Sequence, residues 1–131
     1  MFTLACRLIT LLIAISLTTA CFSTMRKKQQ LEDTLRGYES AIRWNEFELA
    51  NGFGSGANPP PDIARLSNIK VTSYEVRNSQ VSEEKLEAKQ AVIIQYYDIN
   101  TMREETIVHN QQWTYDEGLK RWLLQPSLPD F

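Results

Sequence analysis

The spacing of apolar residues changes three times along the chain. Residues 8–17 (Leu-Ile-Thr-Leu-Leu-Ile-Ala-Ile-Ser-Leu) are an almost unbroken apolar run. Beyond residue 30 the apolar positions separate. Leu31, Leu35, Tyr38, Ile42 and Leu49 recur at intervals of three, four or seven, with Ala41 and Asn45 beside the same stripe. That spacing places them on one face of a helix. Asn45 followed by Glu46-Phe47-Glu48 reads as a second N-cap with acidic residues in its first turn. The pattern therefore predicts a long helix to about Trp44, a kink at Asn45, and a short helix ending near Asn51-Gly52. Residues 54–61 combine glycines with a proline run and form a loop. Asp62 then caps a brief helix through Leu66.

From Ile69 the period becomes two. Ile69 and Val71 share one phase and Tyr74 and Val76 the other, which a bulge near Ser73 reconciles. Residues 88–99 read as a strand with Val92, Ile94 and Tyr96 on one face and Ala91, Ile93 and Tyr97 on the other. Two apolar faces predict a central strand packed on both sides, or one face lining a pocket. Ser82-Glu83-Glu84-Lys85 turns the hairpin before it. Residues 106–115 and 120–125 read as the third and fourth strands. Asp116-Glu117-Gly118-Leu119 fits a four-residue loop with Gly118 at positive φ. This register sets Tyr115 opposite Lys120, Trp113 opposite Trp122, and Gln111 opposite Leu124. Pro126 and Pro129 end the sheet. The expected architecture is α+β: an N-terminal kinked helix and short helices packed on a curved four-stranded antiparallel meander sheet.

Composition changes the picture only when the chain is divided. Over 131 residues, 43% hydrophobic and 23% charged content is ordinary for a soluble globular domain. Residues 1–20, however, hold a single charged side chain, Arg7. The net charge of −2 becomes −3 without that one positive charge, too mild to predict a nucleic-acid partner. An apolar run of about ten residues suits a secretion signal and falls short of the roughly 17–25 that a membrane span needs.

Leu17-Thr18-Thr19-Ala20-Cys21 resembles the lipobox of bacterial lipoproteins, with Thr18 where that family usually has Leu. The resemblance implies a signal peptide over 1–20, cleavage before Cys21, and diacylglycerol on the Cys21 thiol. Cys6 is the competing cysteine, but no apolar run precedes it. The alternatives for Cys21 are an ordinary signal peptide with a free thiol, or an uncleaved anchor. Loss of the leader leaves one cysteine, so no intrachain disulfide is expected. Phe22 follows Cys21 where lipoproteins retained at the inner membrane often carry Asp, which points to the outer membrane, facing the periplasm. Residues 21–30 read as lipidated cysteine and basic tether. There Arg26, Lys27 and Lys28 can each add about 1 kcal/mol at anionic headgroups, or form a solvated linker entering the first helical turn. Residues 31–131 are a single domain.

Two segments carry a second resemblance. Tyr38-Glu39-Ser40-Ala41-Ile42-Arg43-Trp44-Asn45-Glu46-Phe47, and Trp113-Thr-Tyr-Asp-Glu-Gly118 followed by Arg121-Trp122-Leu123-Leu124, resemble a nuclear-transport-factor-2-like (cystatin-like, ketosteroid-isomerase-like) domain over about residues 31–125. Enzymes of that group place an acid or base with tyrosine or histidine partners inside a cone-shaped cavity. The resemblance therefore makes Asp98, His109 and Tyr38 catalytic candidates. Each also has a plain structural role available: Asp98 as the cap of a turn, His109 as a packed or exposed histidine in phase with Ile107, Gln111 and Trp113, and Tyr38 as a core tyrosine. Trp113, Trp122 and Tyr96 are candidates to line a ligand site. The alternative for Trp44, Trp113 and Trp122 is packing.

Other chemistry is missing from the sequence. A single His and one lipidated Cys cannot supply three or four metal ligands, and no cofactor is expected. Gly52-Phe53-Gly54-Ser55-Gly56 precedes prolines rather than opening a phosphate-binding helix. The favoured function is a lipid-anchored, non-catalytic binding or assembly module of the cell envelope. It would hold a protein partner or a small apolar ligand, with homodimer formation through the open sheet face a further option. The alternative is a small cavity enzyme of isomerase or dehydratase type.

Overall fold

The computed structural model describes residues 2–56 and 59–131, with side chains from residue 21 onward. The side chains of the expected leader, Cys6 among them, and loop residues Ala57 and Asn58 lie outside the described residues. Helix α1 spans Phe2–Arg43, α2 Phe47–Asn51 and α3 Ile63–Leu66; strands β1 Ile69–Ser82, β2 Glu87–Asp98, β3 Glu104–Asp116 and β4 Arg121–Gln125 follow. The strands form one antiparallel sheet in the order β1-β2-β3-β4. The α+β meander expected from the periodicity is the observed fold. Among the described residues no helix is long and apolar enough to cross a membrane.

The helices cover one face of the sheet. Leu31, Tyr38, Ala41 and Ile42 of α1 are buried against Ala88, Val92, Ile94 and Tyr96 of β2, Trp113 of β3, and Trp122 and Leu124 of β4. Leu35 is partly buried in the same stripe. Leu49 is exposed, a correction to the predicted stripe. Past the kink Phe47 and Ala50 point inward instead. The break itself lies at Asn45, whose φ is 60°. Asn45 does not cap α2 as expected. Glu46 occupies that position and its side chain makes no capping bond. Asn45 Oδ1 instead accepts the Val71 N–H at 2.7 Å, tying the kink to the first strand. Asp62 does cap α3, accepting from Arg65 N–H at 3.1 Å.

Strand β1 shifts register between Val71 and Ser73, as expected, and again between Val76 and Asn78. Each extra residue bends the strand and increases its twist. Strand β2 is covered on one face only. Ala91, Ile93 and Tyr97 on its other face are half-buried by their neighbours, with no helix over them.

The β3–β4 hairpin departs from the expected register by two residues. Trp113 pairs with Leu124 and Tyr115 with Trp122, while Gln112 rather than Gln111 reaches the end of β4, opposite Gln125. The loop is therefore 117–120. Asp116 Oδ1 accepts the Leu119 N–H at 2.7 Å, and positive φ falls on Lys120 (53°), not on Gly118. No tryptophan pair forms across the strands.

Beyond β4 the chain folds back over the core. Ser127 and Pro129 are buried, and Leu128 and Phe131 pack against the core. A side chain at Gly54 would sit 2.5 Å from Ser127 Cβ, so glycine alone allows this approach. There the Leu124 N–H donates to Phe53 O at 2.9 Å.

Candidate functional site: a closed polar core and two exposed ends

The inner face of the sheet, where a cavity would lie, is filled. Tyr38, Ile42, Val92, Ile94, Trp113 and Leu124 are fully buried there. Strand phase carries four polar side chains into the same layer: Gln90 from β2, His109 and Gln111 from β3, and Tyr74 from β1. Hydrogen bonds join them, with Gln111 at the centre. Gln111 Oε1 accepts from Gln90 Nε2 at 2.7 Å and from Trp113 Nε1 at 3.1 Å. Gln111 Nε2 donates to the Tyr74 hydroxyl at 2.9 Å and lies 3.3 Å from His109 Nδ1. That amide nitrogen can only donate, so His109 Nδ1 is the acceptor and its proton sits on Nε2.

His109 Nε2 is buried without a hydrogen-bond partner. Removal from water pushes the ring's pKa down to about 4. The Pro126 carbonyl nearby pulls the other way, without the alignment of a hydrogen bond to Nε2. The ring is thus a neutral group throughout the physiological range. Burial also drives Tyr38 well above the ordinary tyrosine value and Tyr74 up to about 12. Neither phenol is poised to exchange a proton near neutrality.

The three catalytic candidates do not converge. Tyr38 and His109 are ring neighbours, with centroids 6.2 Å apart. The Tyr38 hydroxyl, however, is committed to Ser127 O at 2.9 Å. His109 pairs with Val92 on β2, and Asp98 lies six residues further along that strand, roughly 20 Å away at 3.3 Å per residue. Asp98 closes its own turn instead, accepting the Asn100 N–H at 2.7 Å.

The ligand-site candidates are also dispersed. Trp113 packs edge-on to Tyr38 and Phe53. Trp122 stacks edge-on to Tyr115, and its Nε1 donates to the Lys27 carbonyl at 3.1 Å. Tyr96 packs edge-on to Phe131, and its hydroxyl donates to Glu105 Oε2 at 2.9 Å. Among the described residues no group of His, Cys, Asp and Glu is arranged to hold a metal.

No family model, curated protein or solved structure matches this chain. The reading of its site therefore rests on its own geometry.

With the interior closed, the unexplained surface lies at the two ends of the Cys21–Arg43 part of α1. At the end carrying Cys21, which is an exposed thiol, Phe22 and Met25 are 71% and 72% exposed. Residues 21–30, expected as a tether, are helical and fastened to the domain. Lys27 Nζ pairs with Glu117 at 2.7 Å and lies 4.8 Å from the centre of the Tyr115 ring. Gln30 Nε2 donates to Lys120 O at 2.9 Å. Lys28 reaches Glu83 at 3.8 Å. Both hairpin tips, 83–86 and 117–120, therefore lie toward this end.

At the opposite end Trp44 is 75% exposed, and Leu49, Ile63, Ile99 and Met102 are exposed as well. The Ile99 N–H donates to Asn68 O at 2.9 Å, which brings the β2–β3 turn beside α3. A shallow groove of about 420 Å³ runs between α2 and α3, lined by Phe47, Leu49, Ile63 and Leu66. Sequence reasoning placed Trp44 among the packing tryptophans. The helix expected to reach Trp44 ends at Arg43, and the ring lies outside the buried stripe.

Proposed function

We propose that this protein is a lipid-anchored lipoprotein of the cell envelope, at the outer membrane facing the periplasm, whose domain binds or assembles with a protein partner without catalysis. The observation that carries the reading is the apolar run ending in Leu17-Thr18-Thr19-Ala20-Cys21. An exposed thiol at Cys21 supports it. The filled inner face and the dispersal of Asp98, His109 and Tyr38 support binding over a cavity reaction. The relation to nuclear-transport-factor-2-like domains is part of this proposal, supported by a kinked helix on a curved meander, with side chains occupying the volume a cone would enclose.

An exposed tryptophan at the same end as the exposed Leu49 and Ile63 favours a protein partner over a small apolar ligand. Tryptophan is enriched at binding hot spots, whereas small ligands are mostly enclosed. By helix rise, Arg43 stands about 33 Å from Cys21, so the Trp44 end would project away from the membrane. Metabolic labelling with a fatty-acid probe tests the anchor. Wild type is expected to incorporate the probe and Cys21→Ser to lose it; equal incorporation overturns the reading.

A further inference from the structure

We infer that the Cys21 end of α1, as it would stand after cleavage before Cys21, forms with the tips of the β1–β2 and β3–β4 hairpins a membrane-contact face that holds the domain in one orientation on an anionic lipid surface. This rests on the lipid anchor proposed at Cys21 and specifies what the anchor does to the domain.

Three independent features meet there. The first is rigidity. A flexible linker of nine residues would let the domain swing freely, but residues 21–30 are helical. Trp122 clamps the helix through the Lys27 carbonyl, Glu117 through the Lys27 ammonium, and Lys120 through Gln30. Six residues at 1.5 Å each put this clamp only about 9 Å from Cys21. Acyl chains on Cys21 would therefore fix the height and the tilt of the hairpin tips.

The second feature is apolar exposure. Phe22 and Met25 lie one and four residues past the acylated position, and Leu119 at the tip of the β3–β4 hairpin is also exposed. An aromatic ring beside a lipid anchor is suited to the interfacial zone of a bilayer.

The third feature is charge. Lys27 and Lys28 are neutralised by Glu117 and Glu83. Among the described residues Arg26, Lys85 and Lys120 are in no ion pair, and Glu84 is the unpaired acid of these tips. The balance of three positive charges against one negative favours anionic headgroups over a neutral surface. A groove of about 900 Å³ between α1 and the β3–β4 hairpin, lined by Phe22, Met25, Arg26, Tyr115 and Lys120, opens beside these groups. The distal end also has basic residues, Arg43, Arg65, Lys70 and Arg103, but the carboxylates at positions 46, 48, 62, 98, 104 and 105 outnumber them, so the two ends are not interchangeable.

The test uses the mature, acylated protein in vesicles of phosphatidylethanolamine and phosphatidylglycerol. A fluorophore is placed at Glu84→Cys on a proximal tip or at Asn100→Cys on the distal turn, and headgroup-labelled quencher lipid is titrated. The acylated Cys21 thiol does not compete for the label. With the two ends of the domain about 30 Å apart by helix rise, quenching at residue 84 is expected to exceed that at 100 by at least about fivefold. The contrast should narrow in Arg26→Gln/Lys120→Gln. Equal quenching at the two sites, with the protein still on the vesicles, overturns the oriented face and leaves the anchor standing. Quenching that is stronger at 100 does the same. Protein recovered away from the vesicles overturns the anchor, and the oriented face with it.

Discussion

The two ends of the Cys21–Arg43 part of α1 are exposed in different ways. At the Cys21 end the exposed apolar side chains sit on a segment clamped by Trp122, Glu117 and Lys120 and interleaved with basic residues. At the other end Trp44, Leu49 and Ile63 are exposed, and the kink at Asn45 is tied to β1 by one side-chain bond. The first arrangement gives rigidity and charge, which suits a surface that is broad and anionic. The second gives an apolar cluster beside a shallow groove, which suits a folded partner. On the proposed reading, one helix would join two recognition surfaces about 33 Å apart.

Substituting one tryptophan at each end should break that comparison most visibly. Trp122→Ala removes a buried ring, its edge-on contact with Tyr115 and the donor to the Lys27 carbonyl, and should cost about 3–5 kcal/mol. Trp44→Ala should change stability by no more than about 0.5 kcal/mol, because the ring is mostly in water. Urea unfolding of both variants checks the pair. Comparable losses would mean that Trp44 is structural and the distal end is no binding surface.

The core between the two ends supplies a pH test through His109 of β3. The His109 ring titrates near its ordinary 6.5 in the unfolded chain and near 4 in the fold. Above pH 6.5 both states hold a neutral ring and its contribution is flat. Below that, the unfolded chain takes up a proton that the folded chain refuses, so stability falls as pH drops. The loss continues until the folded ring protonates near pH 4. It should amount to something on the order of 3 kcal/mol. His109→Gln removes this slope, and its difference from wild type in urea midpoints between pH 7 and 4 separates the ring from the carboxylates. Parallel curves would show that the ring is already charged or solvated.

Why some of this is legible in the sequence follows from the periods involved. Leu31, Tyr38 and Ile42 mark the buried stripe because an apolar face repeats every three to four residues. His109, Gln111 and Trp113 announce a shared face because strand phase is two. The same fact hides the β3–β4 register. A slip of two residues leaves every side chain on its original face, so apolar pattern cannot distinguish Trp113 opposite Trp122 from Trp113 opposite Leu124. Local chemistry decides it, through Asp116 bonding to Leu119 N–H and Lys120 accepting positive φ. Asn45 misled for a related reason. The residue type that caps helices also tolerates φ of 60°, and here it serves the turn while its amide oxygen serves β1. The C-terminal tail has no period to read, so the burial of Ser127 and the contact of Phe131 with Tyr96 were invisible. The closed inner face was hidden with them. Asp98, Tyr38 and His109 share no local motif, and whether they converge is a matter of tertiary distance alone.

The distal kink offers a smaller and more specific test. Asn45→Gly keeps a residue at ease with positive φ but loses the acceptor for Val71 N–H, and should cost about 1 kcal/mol. Asn45→Ala loses the acceptor and strains the backbone as well, so about 2 kcal/mol is expected. Thermal unfolding of the two variants separates the contributions. If alanine is no worse than glycine, the left-handed conformation is not what holds the kink.

The smallest effect tests the clamp at the other end. Lys27→Met keeps the aliphatic stem against Tyr115 but removes the ammonium from Glu117 and from the ring. Glu117 is largely in solvent, so the pair is screened, and the global cost should stay near 0.5–1 kcal/mol. The local consequence should be clearer than the global one. Amide exchange over residues 21–27 should quicken, because those turns have few tertiary fastenings, while exchange over residues 38–43 stays as slow as before. Uniformly faster exchange along α1 would mean that the helix opens as one unit from its Cys21 end. The clamp would then secure the whole fold rather than the orientation of its first turns.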